Sequence, residues 1–212
     1  MKRILSKIIA LTLLLAIGVA CLTACEYRAT SKPESQLVNT ANYVVIKLRD
    51  IGDVVIKLDR DNAPITVKNF VKLATEGFYD GLTFHRVIAN FMAQGGDPKG
   101  NGTGGSGTRI EGEFKENGHD NNLKHTRGVI SMARNGYDCN SASSQFFICV
   151  DDRCTQLDGQ YAAFGVVISG MEYVDEIVTR TAHLATDGNG GGIPTDKRVV
   201  IETIIALETY NG

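Results

Sequence analysis

The residues with the most chemistry to offer lie between positions 84 and 97. Phe84-His85-Arg86-Val87-Ile88 is followed by Phe91-Met92-Ala93-Gln94-Gly95-Gly96-Asp97. Arg86 carries a guanidinium that keeps its charge and presents its donors in a rigid fork, and Gln94 adds an amide that both donates and accepts. Phe91 and Met92 are large apolar side chains. The set lacks what covalent or metal chemistry needs. No nucleophile stands beside a base, and His85, His119, His125 and His183 have no metal-ligand spacing. The glycines between 95 and 107 are not followed by the Gly-Lys-Ser/Thr of a phosphate cradle and read as a turn-rich loop. A fixed cation beside apolar surface can stabilise charge or a lone pair that develops during a reaction, most strongly where the local dielectric is low. Taken singly, Arg86 and His85 read as an ordinary surface or packing pair, and Phe91, Met92 and Phe147 as core residues. Only a wider pattern makes them a site.

The elements that must position these residues are mostly strands. Tyr43-Val44-Val45-Ile46-Lys47-Leu48 and Asp53-Val54-Val55-Ile56-Lys57-Leu58 flank a turn containing Gly52, a hairpin pattern rich in β-branched residues. Ala63 to Ala74 reads as a helix, with Pro64 in its first turn, Gly77 at its exit, and Val67, Phe70, Val71 and Ala74 on one face. Strand-like runs resume at Val129–Met132 and Phe146–Val150. A short helix over Met171 to Thr179 precedes a last strand at Val199 to Leu207. Many short strands with two helices predict a closed or nearly closed antiparallel sheet.

The order of the motifs narrows this further. After the 84–97 segment come Asn101-Gly102-Thr103-Gly104-Gly105, Glu111-Gly112-Glu113-Phe114, Ser131-Met132-Ala133, Ser144-Gln145-Phe146-Phe147-Ile148, Leu157-Asp158-Gly159 and Phe164-Gly165. The series, from about Tyr43 to Glu208, resembles the cyclophilin-type peptidyl-prolyl cis/trans isomerases. That resemblance implies a mainly β fold, a closed eight-stranded antiparallel barrel capped by two α-helices, with a peptide groove on its outer face. It implies that Arg86 is the catalytic cation and that Gln94 orients the substrate carbonyl. Phe91, Met92, Phe147 and Leu157 match the pocket for the proline ring. Ala133 and Arg134 match the wall that pairs with substrate main chain, Asn101 and Gly102 border the neighbouring pocket, and Tyr161 stands where many members carry histidine. The implied substrates are proline-containing peptides and unfolded proteins, a monomer is expected, and no metal or cofactor is required.

The chemistry fits these residue types. Amide resonance sets a barrier of about 18–20 kcal/mol to rotation. In the twisted transition state the proline nitrogen regains a lone pair, which a guanidinium can meet with a hydrogen bond. Bringing an isomerisation of roughly 10–100 s to milliseconds means lowering the barrier by about 5–7 kcal/mol. One preorganised donor contributes about 3–4 kcal/mol, so Arg86 needs help from the groove. A noncatalytic proline-binding chaperone could use the same groove; intact Arg86 and Gln94 favour the enzyme.

Two departures from the family pattern matter. Gln156 stands where well-known eukaryotic members carry tryptophan, and the chain has no Trp, so weak cyclosporin binding is expected. The loop from Arg134 to Asn140 is longer than usual and lacks the usual proline, which bears on groove width and peptide preference.

The N-terminus has another character. Lys2, Arg3 and Lys7 precede an apolar run from Ile8 to Ala20, near the lower length limit for spanning about 30 Å of hydrocarbon, and small residues follow. Residues 1–24 therefore read as a bacterial signal peptide. Leu22-Thr23-Ala24-Cys25 resembles a lipobox, which makes Cys25 the acylated first residue of the mature chain; two acyl chains suffice for stable anchoring. Residues 25–42 read as a flexible tether and 43–212 as the isomerase domain, lipid-anchored outside the cytoplasm and acting on exported proteins. The formal charge of -2 argues against a nucleic-acid partner. Of the remaining cysteines, Cys149 reads as a buried strand residue, and a Cys139–Cys154 bridge is left open.

Overall fold

The computed structural model describes residues 34–186 and 190–212. In chain order the elements are α1 (Glu34–Thr40), β1 (Tyr43–Leu48), β2 (Gly52–Leu58), α2 (Pro64–Thr75), β3 (Arg86–Ile88), β4 (Met92–Gly95), β5 (Val129–Met132), β6 (Phe146–Cys149), β7 (Ala163–Ser169), α3 (Met171–Thr181) and β8 (Ile201–Leu207). The strands form one sheet in the order β3-β4-β6-β5-β7-β2-β1-β8, antiparallel throughout.

The predicted hairpin forms with Tyr43 opposite Lys57 and Leu48 opposite Gly52. The two longer helices lie where their apolar faces require. Val67, Phe70, Val71 and Ala74 of α2 and Val174 and Ile177 of α3 join one continuous core inside the sheet. At its centre the Phe70 ring lies 5.0 Å from Tyr79, 5.0 Å from Phe164 and 5.4 Å, edge-on, from Phe146. The α2 N-terminus is capped from far away in sequence. Ala63 offers no side-chain cap, and the buried Glu113 carboxylate accepts from the Ile65 N–H at 2.8 Å and the Thr66 N–H at 2.7 Å. An anion there satisfies orphan donors and complements the helix dipole. Entry to α3 depends on Gly170, whose φ of 84° is left-handed and whose Cβ, if present, would lie 2.2 Å from the Asp53 carbonyl oxygen.

The sheet is a curled half-barrel, not the closed barrel expected. Strand β3 is three residues long and does not pair in a ladder with β8. Chain from the α3–β8 connection covers its edge instead: the Val87 N–H donates to Gly191 O at 2.7 Å and the Ile193 N–H to His85 O at 2.9 Å. Just before the two end strands a single Thr83–Val200 bridge joins their approaches.

The tether reading also needs revision over its last residues. Residues 34–40 form α1, whose Leu37 is buried along with the following Ala41, and Arg60 donates from Nε to Ala41 O and from Nη2 to Val38 O, satisfying carbonyls at the helix end. One buried leucine in a polar stretch was too weak a periodic signal to reveal this helix. Residues 1–33, including the proposed leader and Cys25, lie outside the described residues.

Candidate active site

The site begins with a hairpin. A turn with Asn90 in the left-handed region, at φ 59°, joins β3 to β4 and sets Arg86 opposite Gln94 and Ile88 opposite Met92. Asn tolerates that conformation better than most side chains. The neighbouring ladders continue the register, with Gln94 opposite Phe147 and Phe147 opposite Ser131. Arg86, Gln94, Phe147 and Ser131 therefore form one row across four adjacent strands. Because side chains alternate along a strand, the intervening Val87, Ala93, Ile148 and Ile130 turn the other way into the core.

Arg86, Gln94 and Phe147 of this row line a pocket of about 210 Å³ together with Phe91, Met92, Ala133, Arg134, Leu157 and Tyr161. Its apolar base is a second cluster, separate from the main core, of Met92, Phe147, Cys149 and Cys154. A 3-10 turn over Asp152–Leu157 brings Leu157 to the rim, started by Asp151, which accepts from the Arg153 N–H. Tyr161 meets the Phe147 ring edge-on at 5.9 Å.

Polar groups fix this geometry. Arg86 donates from Nη1 to Gln94 Oε1 at 3.1 Å and from Nε to the Gly190 carbonyl. Gln94 Nε2 donates to Gln145 Oε1 at 2.9 Å, and Gln145 Nε2 donates to Gly102 O at 3.1 Å and Gly104 O at 2.9 Å. Behind that loop Asp97 accepts from the backbone N–H groups of Lys99, Asn101 and Gly102. Burial disfavours the Asp97 carboxylate, but backbone donors at Lys99 and Gly102 more than offset it and hold the carboxyl below its usual range.

A second network lies under the floor. The His125 ring stacks on Phe147 at 6.1 Å with an interplanar angle of 17°, and its Nε2 is 2.9 Å from Ser131 Oγ. Its Nδ1 is 3.0 Å from Asp158 Oδ1, which also accepts the His125 N–H at 2.8 Å. Asp158 directly follows Leu157, so this contact ties the rim to the floor. Burial pushes the imidazole down against the pull of Asp158 and favours its neutral form.

Nine of the eleven groove residues read from the sequence thus meet in one pocket. Gly102 lines the adjoining pocket of about 500 Å³, which shares Gln94, Ala133 and Arg134 with the first. Asn101 lines neither: it is exposed, and its Oδ1 accepts from Thr103 N and Oγ1 within its own loop. Sequence reasoning assigned no role to Gln145, Ser131, His125 or Asp158. The first two lie two residues from Phe147 and Ala133 in extended segments, and strand alternation was the available signal. His125 had none, because its partners are distant in sequence. Cys154 sits with Cys149 under the pocket, and Cys139, Cys149 and Cys154 are all free thiols, so the Cys139–Cys154 bridge is not formed. Among the described residues no group of three or more His, Cys, Asp or Glu is placed to hold a metal ion.

Residues 43–205 match the family model described as cyclophilin type peptidyl-prolyl cis-trans isomerase/CLD. The chain belongs to this family. It is 48% identical over 146 residues to a peptidyl-prolyl cis-trans isomerase of Helicobacter pylori, covering 68% of this chain and 84% of that protein. It is also 48% identical over 126 residues to peptidyl-prolyl cis-trans isomerase B of Bacillus subtilis, covering 59% and 83% respectively. A crystal structure of a Cryptosporidium parvum cyclophilin type isomerase superposes with a TM-score of 0.68 at 31% identity, covering 80% of this chain and 99% of that one. A second structure of that protein, determined in the presence of the dipeptide Ala-Pro, gives a TM-score of 0.67. This chain is therefore a peptidyl-prolyl cis-trans isomerase, with its pocket on the outer face of the sheet.

Proposed function

We propose that this cyclophilin catalyses rotation about X-Pro bonds with Arg86 as the transition-state donor, and that it does so for exported proteins from a lipid anchor at Cys25. The observation that carries the catalytic part is the strand row: one face presents a fixed cation, an amide and an aromatic floor within a single small pocket. The proline ring enters over Met92 and Phe147, between Phe91 and Leu157. Its amide then lies beside the Arg86 guanidinium, held in plane by Gln94 and Gly190, with the Gln94 carboxamide next to the substrate carbonyl.

As the amide twists, nitrogen pyramidalises and accepts a hydrogen bond that it could not accept while conjugated. The guanidinium keeps its proton, and no covalent bond forms or breaks. Because this contact exists chiefly in the twisted state, it lowers the barrier without strengthening ground-state binding. The Gln94–Gln145 chain holds the donor in place beforehand, which avoids reorganisation during the reaction.

The anchor and export reading rests on the sequence of residues 1–25. Exchange NMR on a proline peptide tests the catalytic part: accelerated interconversion is expected, and binding without acceleration would favour the noncatalytic chaperone. Mass spectrometry of the membrane fraction tests the anchor. A mature chain starting at diacylated Cys25 is expected, and an intact leader or an unmodified N-terminus would rule it out.

A further inference from the structure

Beside the proline pocket, the adjoining pocket of about 500 Å³ is lined by Arg109 and Arg134, and among the described residues no Asp or Glu lines either pocket. The molecule as a whole has a formal charge of -2, so this local excess of cations is not a sample of the general surface.

Arg134 is the more constrained of the two. Its guanidinium carbon lies 5.0 Å from the Phe114 ring centroid and 4.8 Å from that of Tyr161, so it is flanked by two aromatic rings. Its hydrogen bonds go to carbonyl oxygens, from Nε to Gln160 and from Nη1 to Asn135 and Gly136. Ring faces and carbonyls orient a cation while leaving its unit charge in place. Arg109 is 71% exposed and pairs at 3.2 Å with Asp138, itself 46% exposed. An exposed pair of this kind is weak and exchanges readily for another carboxylate. Since the two pockets share Gln94, Ala133 and Arg134, a peptide with its proline in the first places a neighbouring side chain in the second.

We propose that Arg109 and Arg134 make this a charge-selective isomerase that prefers substrates carrying Asp or Glu within three residues of the reacting proline. The preference rests on the isomerase reading and names its substrate class. The second pocket supplies both attraction for a carboxylate and repulsion of Lys or Arg, so it discriminates through binding of the peptide more than through the twisting step.

The test uses the full chain in mild detergent and proline peptides in which one position, from three residues before to three after the proline, is Glu, Gln or Lys. Exchange NMR gives kcat/KM for each. At one position Glu is expected to exceed Lys by about tenfold at low salt, because the swap turns weak attractions into weak repulsions, and the ratio should shrink as salt is added. Arg109→Gln should reduce the Glu-to-Lys ratio while the ratio persists in part through Arg134, and Arg109→Gln with Arg134→Gln should bring it near one. Equal rates for Glu, Gln and Lys at every position, with active wild-type protein, would overturn the proposal. So would a ratio unmoved by the double substitution. If no peptide is isomerised, the catalytic reading fails instead, and Kd from chemical-shift titration then decides: tighter binding of Glu peptides upholds charge selection, and equal Kd values overturn it.

Discussion

Phe146 and Phe147 are adjacent, chemically identical residues of β6 with opposite assignments. Phe146 is fully buried among Phe70, Tyr79 and Phe84 in the main core. Phe147 faces outward and forms the pocket floor with Met92, His125 and Tyr161. The inner cluster is large and held by apolar packing. The outer one is small and is positioned by hydrogen bonds through Gln94, Gln145, His125 and Asp158. Strand alternation gives the protein a stabilising face and a chemical face from one stretch of sequence. Substitutions on the two sides should therefore separate stability from activity.

The largest stability effect is expected at Phe146→Ala, about 3–5 kcal/mol by denaturant unfolding, because a ring-sized void opens in a packed core. Phe147→Ala should cost less stability yet lower kcat/KM at least about tenfold, as the proline ring loses its floor. Equal stability losses from the two would dissolve the distinction between faces.

Glu113→Ala should cost about 1.5–3 kcal/mol, since it removes a charge-assisted cap and leaves the buried Thr66 N–H without its acceptor. Peptide turnover per folded molecule should stay near wild type, because Glu113 lies in neither pocket.

Acidification should bring a smaller loss. Burial lowers the His85 and His125 pKa values below the ordinary value of about 6.5. The unfolded chain therefore binds protons that the folded one refuses, and stability falls as pH drops from about 7 towards 5. Asp97 and Asp158, held low by their donors despite burial, add a separate loss only below about pH 4. Thermal unfolding across this range should show the first loss, and His125→Asn should make it shallower. An unchanged slope would mean that His125 does not titrate differently on folding.

The smallest effect on catalysis is expected at Gln156, which is exposed and lines neither pocket. Wild-type protein should bind cyclosporin weakly and Gln156→Trp more tightly, with little change in kcat/KM. Calorimetric titration showing equal affinity would remove Gln156 from the explanation.

Much of this arrangement was legible in the sequence because strands and motif order are local signals. The hairpin and both longer helices followed from periodicity, and nine of the residues implied by the cyclophilin resemblance meet in one pocket. What escaped depends on contacts distant in sequence. Glu113 caps a helix that begins 49 residues earlier, at Pro64, and His125 finds Asp158 across 33 positions. The open seam beside β3 arises because residues 191–193 compete for its edge, which no strand propensity announces. The Asn101 side chain is satisfied within its own turn, a local competition that the motif does not display.

Exchange NMR of a proline peptide with folded Arg86→Ala protein tests most directly whether Arg86 stabilises the twisted amide. A fall in kcat of about 10²–10³-fold is expected, matching about 2.7–4 kcal/mol for one preorganised donor, with peptide affinity nearly unchanged. Arg86→Lys should recover little, because an ammonium supplies the charge without the planar fork. Near-normal isomerisation by the folded Arg86→Ala protein would contradict the account, and loss of its native spectrum would reassign Arg86 to structure.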